Sequence, residues 1–167
     1  KRMEGKAFSS EGKMSEAALF GQNVFPPGGR NIVVTEGELD SCAAYQLQGS
    51  KFPAVSVRSA TSALNDCKRN YLYLDSFENV IVCFDNDEVG RKASKQVADL
   101  FAGKSKEMRF GPEYKDSCDV LKAGATGREE WKRAFWGAET YCPDGIVAGS
   151  SMWAEVSAPI TKADAEY

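Results

Sequence analysis

The stretch Val80–Arg91, VIVCFDNDEVGR, decides the fold of this chain and the chemistry it can support. Its apolar first half is rich in β-branched residues, which is typical of a buried strand. The run ends on two aspartates, Asp85 and Asp87, and Gly90 then leads into a helical pattern. Alternate residues of an extended segment point the same way, so both carboxylates can converge at the strand end, where open α/β sheets bind ligands.

Two carboxylates held this close repel each other unless a cation lies between them. Oxygen ligands in this arrangement suit Mg²⁺ or Mn²⁺. The same residues also fit a solvated turn in which Asp87 or Asn86 caps the next helix. An isolated pair of this kind favours the turn, so the metal hypothesis depends on acids elsewhere in the chain.

Predicted strands and helices alternate along the chain, which is the pattern of an α/β domain with a mostly parallel sheet. The predicted strands are Asn31–Thr35, Pro53–Val57, Val80–Phe84 and Met108–Phe110. The predicted helices start near Leu39, span Leu64–Phe77, run from about Glu88 to Phe101, pass through Val120 and Leu121, and cover Glu129–Trp136. The first helix has Leu39 and Cys42 on its expected apolar face, and the third has Val89 there.

Composition excludes several kinds of site. The chain has no histidine, which excludes Ser-His-Asp and Cys-His catalysis and His-ligated zinc. Its five cysteines contain no CxxC pair, so we expect reduced, intracellular thiols and no zinc in this fragment. No apolar run approaches a membrane span, and no signal peptide is visible. The chain starts with Lys1 rather than methionine, so we treat it as part of a longer protein.

Acidic residues follow three of the predicted strands. Glu36 follows the first, Asp85 and Asp87 follow the third, and Asp116 follows the fourth. If the first and third strands are neighbours, the sheet reverses its direction of growth between them, and a crevice opens at that switch point. Such a cluster fits metal-assisted phosphoryl or nucleotidyl transfer, in which paired ions clamp the attacking and leaving oxygens.

The net charge of −3 weakly disfavours simple electrostatic binding of nucleic acid. A bound pair of Mg²⁺ ions would offset much of the clustered acidity. Basic residues near the start of the chain could line a groove, and simple solvation is an equally good interpretation. These residues are Lys1, Arg2, Lys6 and Lys13.

Three segments together resemble the Toprim domain: VVTEGELD (Val33–Asp40), FDNDEVGRKA (Phe84–Ala93) and YKDSCD (Tyr114–Asp119). They are most similar to the RNA-polymerase domain of bifunctional bacteriophage primase–helicases, with the mitochondrial replicative helicase as a more distant relative. The resemblance implies a Toprim (Rossmann-like) sheet with flanking helices, plus part of a small N-terminal subdomain. Residues 1–30 would end that subdomain, 31–145 would form the catalytic domain, and 146–167 would be a linker or the start of another element.

The resemblance also implies a role for each matching acid. Glu36 falls on the family's general base or proton-transfer group. The family's metal ligands fall on Asp85, Asp87 and Asp116, with Asp119 close by. Asp40 can join the metal site, and its alternative interpretation is a first-turn aspartate favoured by the helix dipole.

Basic residues near these acids are predicted phosphate contacts, namely Lys115, Arg91 and Lys92. Many relatives have a glycine-rich loop after the second strand. Here the loop is Arg58-Ser59-Ala60-Thr61-Ser62, so Arg58 or the hydroxyls would replace it. Lys1, Arg2, Lys6 and Lys13 are predicted to contact the template. For every one of these exposed basic side chains, simple solvation is the alternative.

The function implied by the resemblance is that of a DNA primase, a nucleotidyltransferase that makes short RNA primers on single-stranded DNA during phage DNA replication. Mg²⁺ or Mn²⁺, as two ions, would be the cofactor, and ribonucleoside triphosphates the substrates. The resemblance also implies two linked domains as partners, a zinc-binding domain and a helicase domain that can form a hexamer. It implies no membrane and a location in the cytoplasm of an infected bacterial host.

Two other functions remain open from the residues alone. One is a Toprim nuclease or topoisomerase fragment, whose catalytic tyrosine usually lies outside this domain. The other is a non-catalytic Toprim module coupled to a helicase. Intact Glu36, Asp85 and Asp87 argue against the second.

Overall fold

The computed structural model describes Lys13, residues 16–143 and Ser157. Four strands form one parallel sheet in the order β2-β1-β3-β4. They are β1 (Gly29–Thr35), β2 (Ala54–Ser56), β3 (Phe77–Cys83) and β4 (Ser105–Glu107). The helices are α1 (Glu38–Leu47), α2 (Ala63–Arg69), α3 (Tyr71–Asp75), α4 (Glu88–Leu100), α5 (Ser117–Lys122) and α6 (Gly124–Trp136). A 3₁₀ turn, Ala60–Ser62, precedes α2. The predicted α/β fold with a parallel sheet and flanking helices is confirmed.

The central pair of strands is β1 with β3, and their register aligns Thr35 with Cys83. From this pair the chain adds β2 on one side and β4 on the other. The direction of growth therefore reverses between β1 and β3. The predicted switch point lies where the sequence placed it, and both central strands end at the same level.

Each face of the sheet has its own apolar core. On β1, Ile32 and Val34 belong to one core, whereas Val33 belongs to the other, because side chains alternate along a strand. The first core is closed by apolar residues of α2, α3 and α4. The second is closed by α1, α5 and α6, with Trp131 as its largest fully buried side chain. Helices on both faces leave only the strand ends open for a site.

The single helix predicted for Leu64–Phe77 is wrong. It is two short helices, α2 and α3, separated at Asn70, whose side-chain amide donates to the Asp66 carbonyl. Phe77 is instead the first residue of β3, where it pairs with Gly29 and is almost fully buried. Apolar residues at helical spacing continue across both breaks, so periodicity alone cannot detect them; these residues are Leu64, Cys67, Tyr71, Leu74 and Phe77.

The fourth strand is also displaced from its prediction. β4 is the polar segment Ser105–Glu107, an edge strand without an apolar pattern. Met108 and Phe110 lie just beyond it and are buried in the second core, which explains the misleading signal. Three residues predicted on apolar helix faces, Leu39, Cys42 and Val89, are exposed.

The described part of the N-terminal stretch joins the sheet. Phe20 and Ser56 exchange backbone hydrogen bonds of 3.0 and 3.2 Å, which places Phe20 antiparallel to the free edge of β2. Within the described residues, no helix combines the length and apolar character that crossing a membrane requires. The division of the chain at residues 30 and 145 stays a prediction.

A buried ion pair holds the loop after β2. The Asp66 side chain is almost fully buried and accepts hydrogen bonds from the Arg58 guanidinium at 2.6 and 3.0 Å. The Arg58 backbone N–H and the Ser62 hydroxyl also donate to it. Burial opposes ionisation of Asp66, but these donors outweigh it and hold its pKa below the ordinary 3.8. The structure thus gives Arg58 a structural partner, and its predicted phosphate contact remains untested.

We expect Arg58→Ala to lower the free energy of unfolding by about 3 kcal/mol at pH 7, because it leaves a buried carboxylate without its counter-charge. The pKa of Asp66 is lowered by folding, so the pair stabilises above pH 3.8 and its contribution is lost as pH falls through the folded-state value. The difference between variant and wild type should therefore shrink in urea titrations at progressively lower pH. Arg69→Ala, an exposed arginine of α2, is the control. Equal stability of Arg58→Ala and wild type would contradict a structural role.

Candidate metal centre

The segments that follow β1, β3 and β4 meet at the carboxyl edge of the sheet. Glu36 follows β1 directly, and Asp85 lies two residues beyond the end of β3. Since Thr35 and Cys83 are paired, these two acids leave neighbouring strands at nearly the same level. Asp116 arrives from the loop after β4, and Asp40 lies in the first turn of α1. The predicted convergence of acids from three strands is therefore present in the structure.

Asp85 is the carboxylate common to two groups of acids. Burial and then the charge of Asp85 raise the pKa of Glu36, and Asp87 adds to the effect. Burial and then the charge of Asp116 raise the pKa of Asp40, and Asp85 adds to it. Mutual repulsion of this kind indicates that the acids share one electrostatic environment. A bound cation would relieve the repulsion.

Lys115 supplies part of that relief. Its ammonium lies 2.7 Å from Asp85 Oδ2, and this hydrogen bond raises the pKa of Lys115. The charges of Asp116 and Asp87 act on it in the same direction. The lysine side chain is more than half exposed, whereas that of Asp85 is largely buried. The Lys115 ammonium thus lies against the carboxylate where a metal cation could bind.

The donor set fits a divalent oxygen-ligated ion. Glu36 Oε2 is buried and has no hydrogen-bond partner, which is unusual for a carboxylate oxygen. One ligand atom each from Asp40, Asp116 and Cys118 lie within 4.8 Å of one another. Burial and the charge of Asp40 raise the pKa of the Cys118 thiol to about 12. Mg²⁺ and Mn²⁺ prefer oxygen ligands, so the carboxylates rather than this thiol are the candidate ligands.

Two of the candidate ligands also cap helices. Asp87 Oδ1 accepts from the Gly90 N–H at 2.8 Å, and Asp116 Oδ1 accepts from the Asp119 N–H at 2.8 Å. The capping role considered for Asp87 is thus real, and it uses one carboxylate oxygen. Capping orients each side chain and is compatible with ligation through the second oxygen. The metal and helix-cap interpretations are therefore not exclusive.

The missing side chains of Gly37 and Gly90 allow Asp40 and the Asp85 backbone to lie close to these two glycines. A Cβ at Gly90 would lie 2.2 Å from the Asp85 carbonyl oxygen, and one at Gly37 would lie 2.6 Å from Asp40 Oδ2. Any side chain at Gly90 would push α4 away from the Asp85 backbone. These glycines thus bring the acids together rather than making room for a ligand.

Asn86 holds the two main loops together, a role that was not predicted from the sequence. Its backbone N–H donates to the Lys115 carbonyl at 2.7 Å. Its side-chain amide lies 3.4 Å from the carbonyl oxygens of Phe110, Gly111 and Tyr114. The sequence does contain a signal for this role, because the middle residue of an extended Asp-Asn-Asp segment must point away from the two aspartates. Asn86 is therefore a positioning residue for the Lys115 loop.

The remaining predicted residues are distributed around this centre. Asp119 pairs with Lys122 at 3.0 Å. Hydrogen bonds and charge from Lys122 and Lys115 lower the pKa of Asp119, and none of the clustered acids acts on it. The Arg91 guanidinium donates to the Asn86 carbonyl. Lys92 is exposed and lines a cleft of about 590 Å³ beside the 3₁₀ turn. Lys13 is exposed and pairs with Glu16. Lys1, Arg2 and Lys6 lie outside the described residues.

Comparison with known proteins finds a matching family, a sequence relative and similar solved structures. A family model described as Toprim-like matches residues 33–121. The chain is 34% identical over 166 residues to the DNA helicase/primase of Enterobacteria phage T3, covering 98% of this chain and 28% of that protein. Two solved T7 structures are also similar, one of the primase fragment of the primase-helicase protein and one of primase domains bound to an RNA/DNA hybrid and dTTP.

The T7 primase fragment matches with a TM-score of 0.63 at 39% identity, over 71% of this chain and 48% of that one. The T7 primase domains, solved with the lagging-strand DNA polymerase, match with a TM-score of 0.65 at 35% identity, over 79% of this chain and 65% of theirs. The DNA helicase/primase of phage T3 is much longer than this chain, which spans less than a third of its length.

We expect Asp85→Asn and Asp87→Asn each to weaken Mn²⁺ binding while the fold is retained. Each change removes a negatively charged oxygen ligand, and asparagine at position 87 can still cap α4. Calorimetric titration with Mn²⁺ and a thermal melt provide the two measurements. Glu78→Gln is the matched control, because it removes the same charge at the opposite, exposed end of β3. Unchanged Mn²⁺ affinity in both aspartate variants would show that the metal assignment is wrong.

Proposed function

The chain belongs to the Toprim-like family, and from that premise we propose that it is the catalytic domain of a bacteriophage DNA primase. In this proposal it joins ribonucleoside triphosphates into short RNA primers on a single-stranded DNA template, in the cytoplasm of an infected bacterium. The observation that carries the proposal is the convergence of two acid groups on Asp85 at the switch point. The similarity to phage helicase/primase proteins supports primase among the functions of Toprim domains.

Asp85, Asp87 and Asp116 would hold two Mg²⁺ or Mn²⁺ ions, with Asp40 beside them. Ions bound there would neutralise the triphosphate and stabilise the charge that develops as the phosphodiester bond forms. The protein's part is to present carboxylate oxygens on rigid strand exits. Helix capping fixes Asp87 and Asp116, and Asn86 ties the two loops that carry the acids.

Glu36 would act as the general base. It leaves β1, whereas the pair of aspartates leaves β3, so it approaches the crevice from the other central strand. Burial and the charge of Asp85 raise its pKa, which makes it a better proton acceptor than an exposed glutamate. Its Oε2 atom has no partner in the protein and could accept the proton of the attacking 3′-hydroxyl.

Lys115 would contact the triphosphate. Its ammonium now pairs with Asp85, and its side chain is exposed enough to move. A cation held by Asp85 would free the ammonium for a phosphate oxygen a short distance away. Arg91 and Lys92, at the start of α4, are the further proposed phosphate contacts, and Arg58 would have to release Asp66 to join them.

Partners of the full-length protein follow from the length of the relatives. Because this chain spans 28% of a helicase/primase, we propose that it works beside a helicase domain and a zinc-binding domain that helps to read the template. Single-stranded DNA and ribonucleoside triphosphates would be its direct ligands.

The decisive assay incubates the protein with labelled ribonucleotides, Mg²⁺ and single-stranded DNA. New oligoribonucleotides are the expected product. Cleavage of the DNA would instead identify a Toprim nuclease, and neither product with intact metal binding would indicate a non-catalytic module. The assay should be run on this chain and on a polypeptide of the relatives' full length.

We expect Glu36→Gln to abolish primer synthesis in the full-length polypeptide, while Mn²⁺ and nucleotide binding stay within a few-fold of wild type. The substitution keeps the shape of the side chain and removes its basicity. General acid–base groups contribute about 10²–10⁴-fold in rate, so the loss is measurable by primer yield. Glu78→Gln, at the exposed end of β3, should leave the yield unchanged.

Titration of the Glu36→Gln variant with Mn²⁺ separates two roles of this residue. A base cannot be replaced by more metal, so the rate should remain low at every concentration. Recovery of near-normal rates at high Mn²⁺ would assign Glu36 to the metal site and refute its role as the base.

A further inference from the structure

A second polar site lies at the opposite edge of the sheet from the acids. It is a cleft of about 180 Å³ between the end of α1, the turn before β2 and the second half of α6. We call it the aromatic cleft, and the residues that matter are Gln48, Lys51, Phe52, Trp131, Lys132 and Trp136. Because β2 begins just after Phe52, the cleft adjoins the amino ends of the parallel strands, whereas the acids follow their carboxyl ends.

Two buried polar atoms of the aromatic cleft have no partner. Trp131 is 2% exposed, and its Nε1–H makes no hydrogen bond. The Gln48 amide donates from Nε2 to the Phe52 carbonyl at 2.6 Å, which leaves a buried Oε1 unpaired. Unsatisfied buried groups are rare in native structures. The residues that carry this unpaired donor and this unpaired acceptor both line the same small cleft.

The cleft also presents a free aromatic face. Trp136 is 67% exposed, although its ring packs edge-on against Phe135, with centroids 5.0 Å apart. Phe52 stacks on the same Phe135 ring at 5.7 Å. An exposed indole packed against the buried Phe135 ring offers a face on which another planar ring can stack.

Two lysines, Lys51 and Lys132, line the cleft. Lys51 is exposed, and the Lys132 side chain is 62% exposed. Lys132 pairs with Glu129 at 2.8 Å, but exposed pairs of this kind are weak and readily exchange partners. The two lysines therefore favour an anionic ligand over a neutral apolar one.

We propose that the aromatic cleft binds one nucleotide of a single-stranded nucleic acid. The base would stack against Trp136 and pair its edge with the Trp131 N–H and the Gln48 carbonyl oxygen. Its phosphate would lie against Lys51 and Lys132. A nucleobase offers both an acceptor and a donor on one edge, and stacking on aromatic rings with nearby lysines is how proteins hold single strands. This site goes beyond the proposed primase reaction and needs no metal.

The test follows the indole N–H resonance of Trp131 in ¹⁵N-labelled full chain during titration with an eight-residue oligodeoxythymidylate. EDTA is present throughout, so that the metal centre contributes nothing. We expect a saturable shift of this resonance that weakens as salt is added. Asp85→Asn should bind equally well. The proposal and the primase reaction can therefore fail separately, because one is measured without metal and the other requires it.

Three variants sharpen the test. Trp136→Ala should weaken binding by about tenfold, the change expected for one lost stacking contact. Trp131→Phe removes the unpaired N–H together with part of the buried ring system, so a thermal melt accompanies it. Its binding, measured like that of the other variants by the fluorescence anisotropy of a labelled oligonucleotide, should be weaker than that of wild type. Leu72→Ala removes an apolar side chain that is 85% exposed on α3, and it should bind as wild type does.

Several results would overturn the proposal. One is the absence of any Trp131 shift at millimolar oligonucleotide, which would leave the unpaired atoms to water. Another is unchanged binding in both tryptophan variants. A third is a stronger shift with an octapeptide of aspartate and phenylalanine, which would identify the cleft as a site for an acidic peptide.

Discussion

The parallel pairing of β1 with β3 is the constraint on which the rest of the structure depends. This pairing ends both strands at the same level, since Thr35 lies opposite Cys83. The residues that follow must then share the crevice where the sheet reverses its direction of growth. Glu36 and Asp85 are brought together by the backbone hydrogen bonds of two buried strands, and their own interaction is repulsive. The core therefore supplies the free energy that holds like charges in place.

Local contacts reduce the repulsion between these acids. Lys115 places an ammonium against Asp85, and two aspartates offset part of their charge by accepting backbone N–H groups at helix starts. The missing side chain at Gly90 lets α4 approach the Asp85 backbone closely. Even so, burial and neighbouring charges keep the pKa of Glu36 and of Asp40 raised. Carboxylates held together in this way are suited to bind a cation, because a positive charge between them relieves their repulsion.

The two edges of the sheet differ in chemistry for a topological reason. Loops at the carboxyl ends come from strands on both sides of the switch point, so they can surround a ligand with acids from several segments. At the amino ends, the end of α1 and the second half of α6 meet over aromatic residues of the second core. There the unpaired atoms are neutral, at Gln48 and Trp131, and the charges are lysines. The proposed metal centre and the proposed nucleotide site therefore lie at opposite edges of the sheet.

The sequence by itself determined the fold class, the switch point and the acids that meet there. Apolar β-branched strands followed directly by Glu36 and by Asp85 are short-range patterns, and parallel topology converts them into one site. Tertiary structure decided what short-range patterns cannot encode. The helix predicted through Phe77 ends earlier because β3 must start there to pair with Gly29. The polar edge strand β4 exists only through its hydrogen bonds to β3. Arg58 pairs with Asp66, and Asn86 bridges to a loop more than twenty residues away. These contacts join residues that are distant in sequence, so their partners emerge only when the chain is folded.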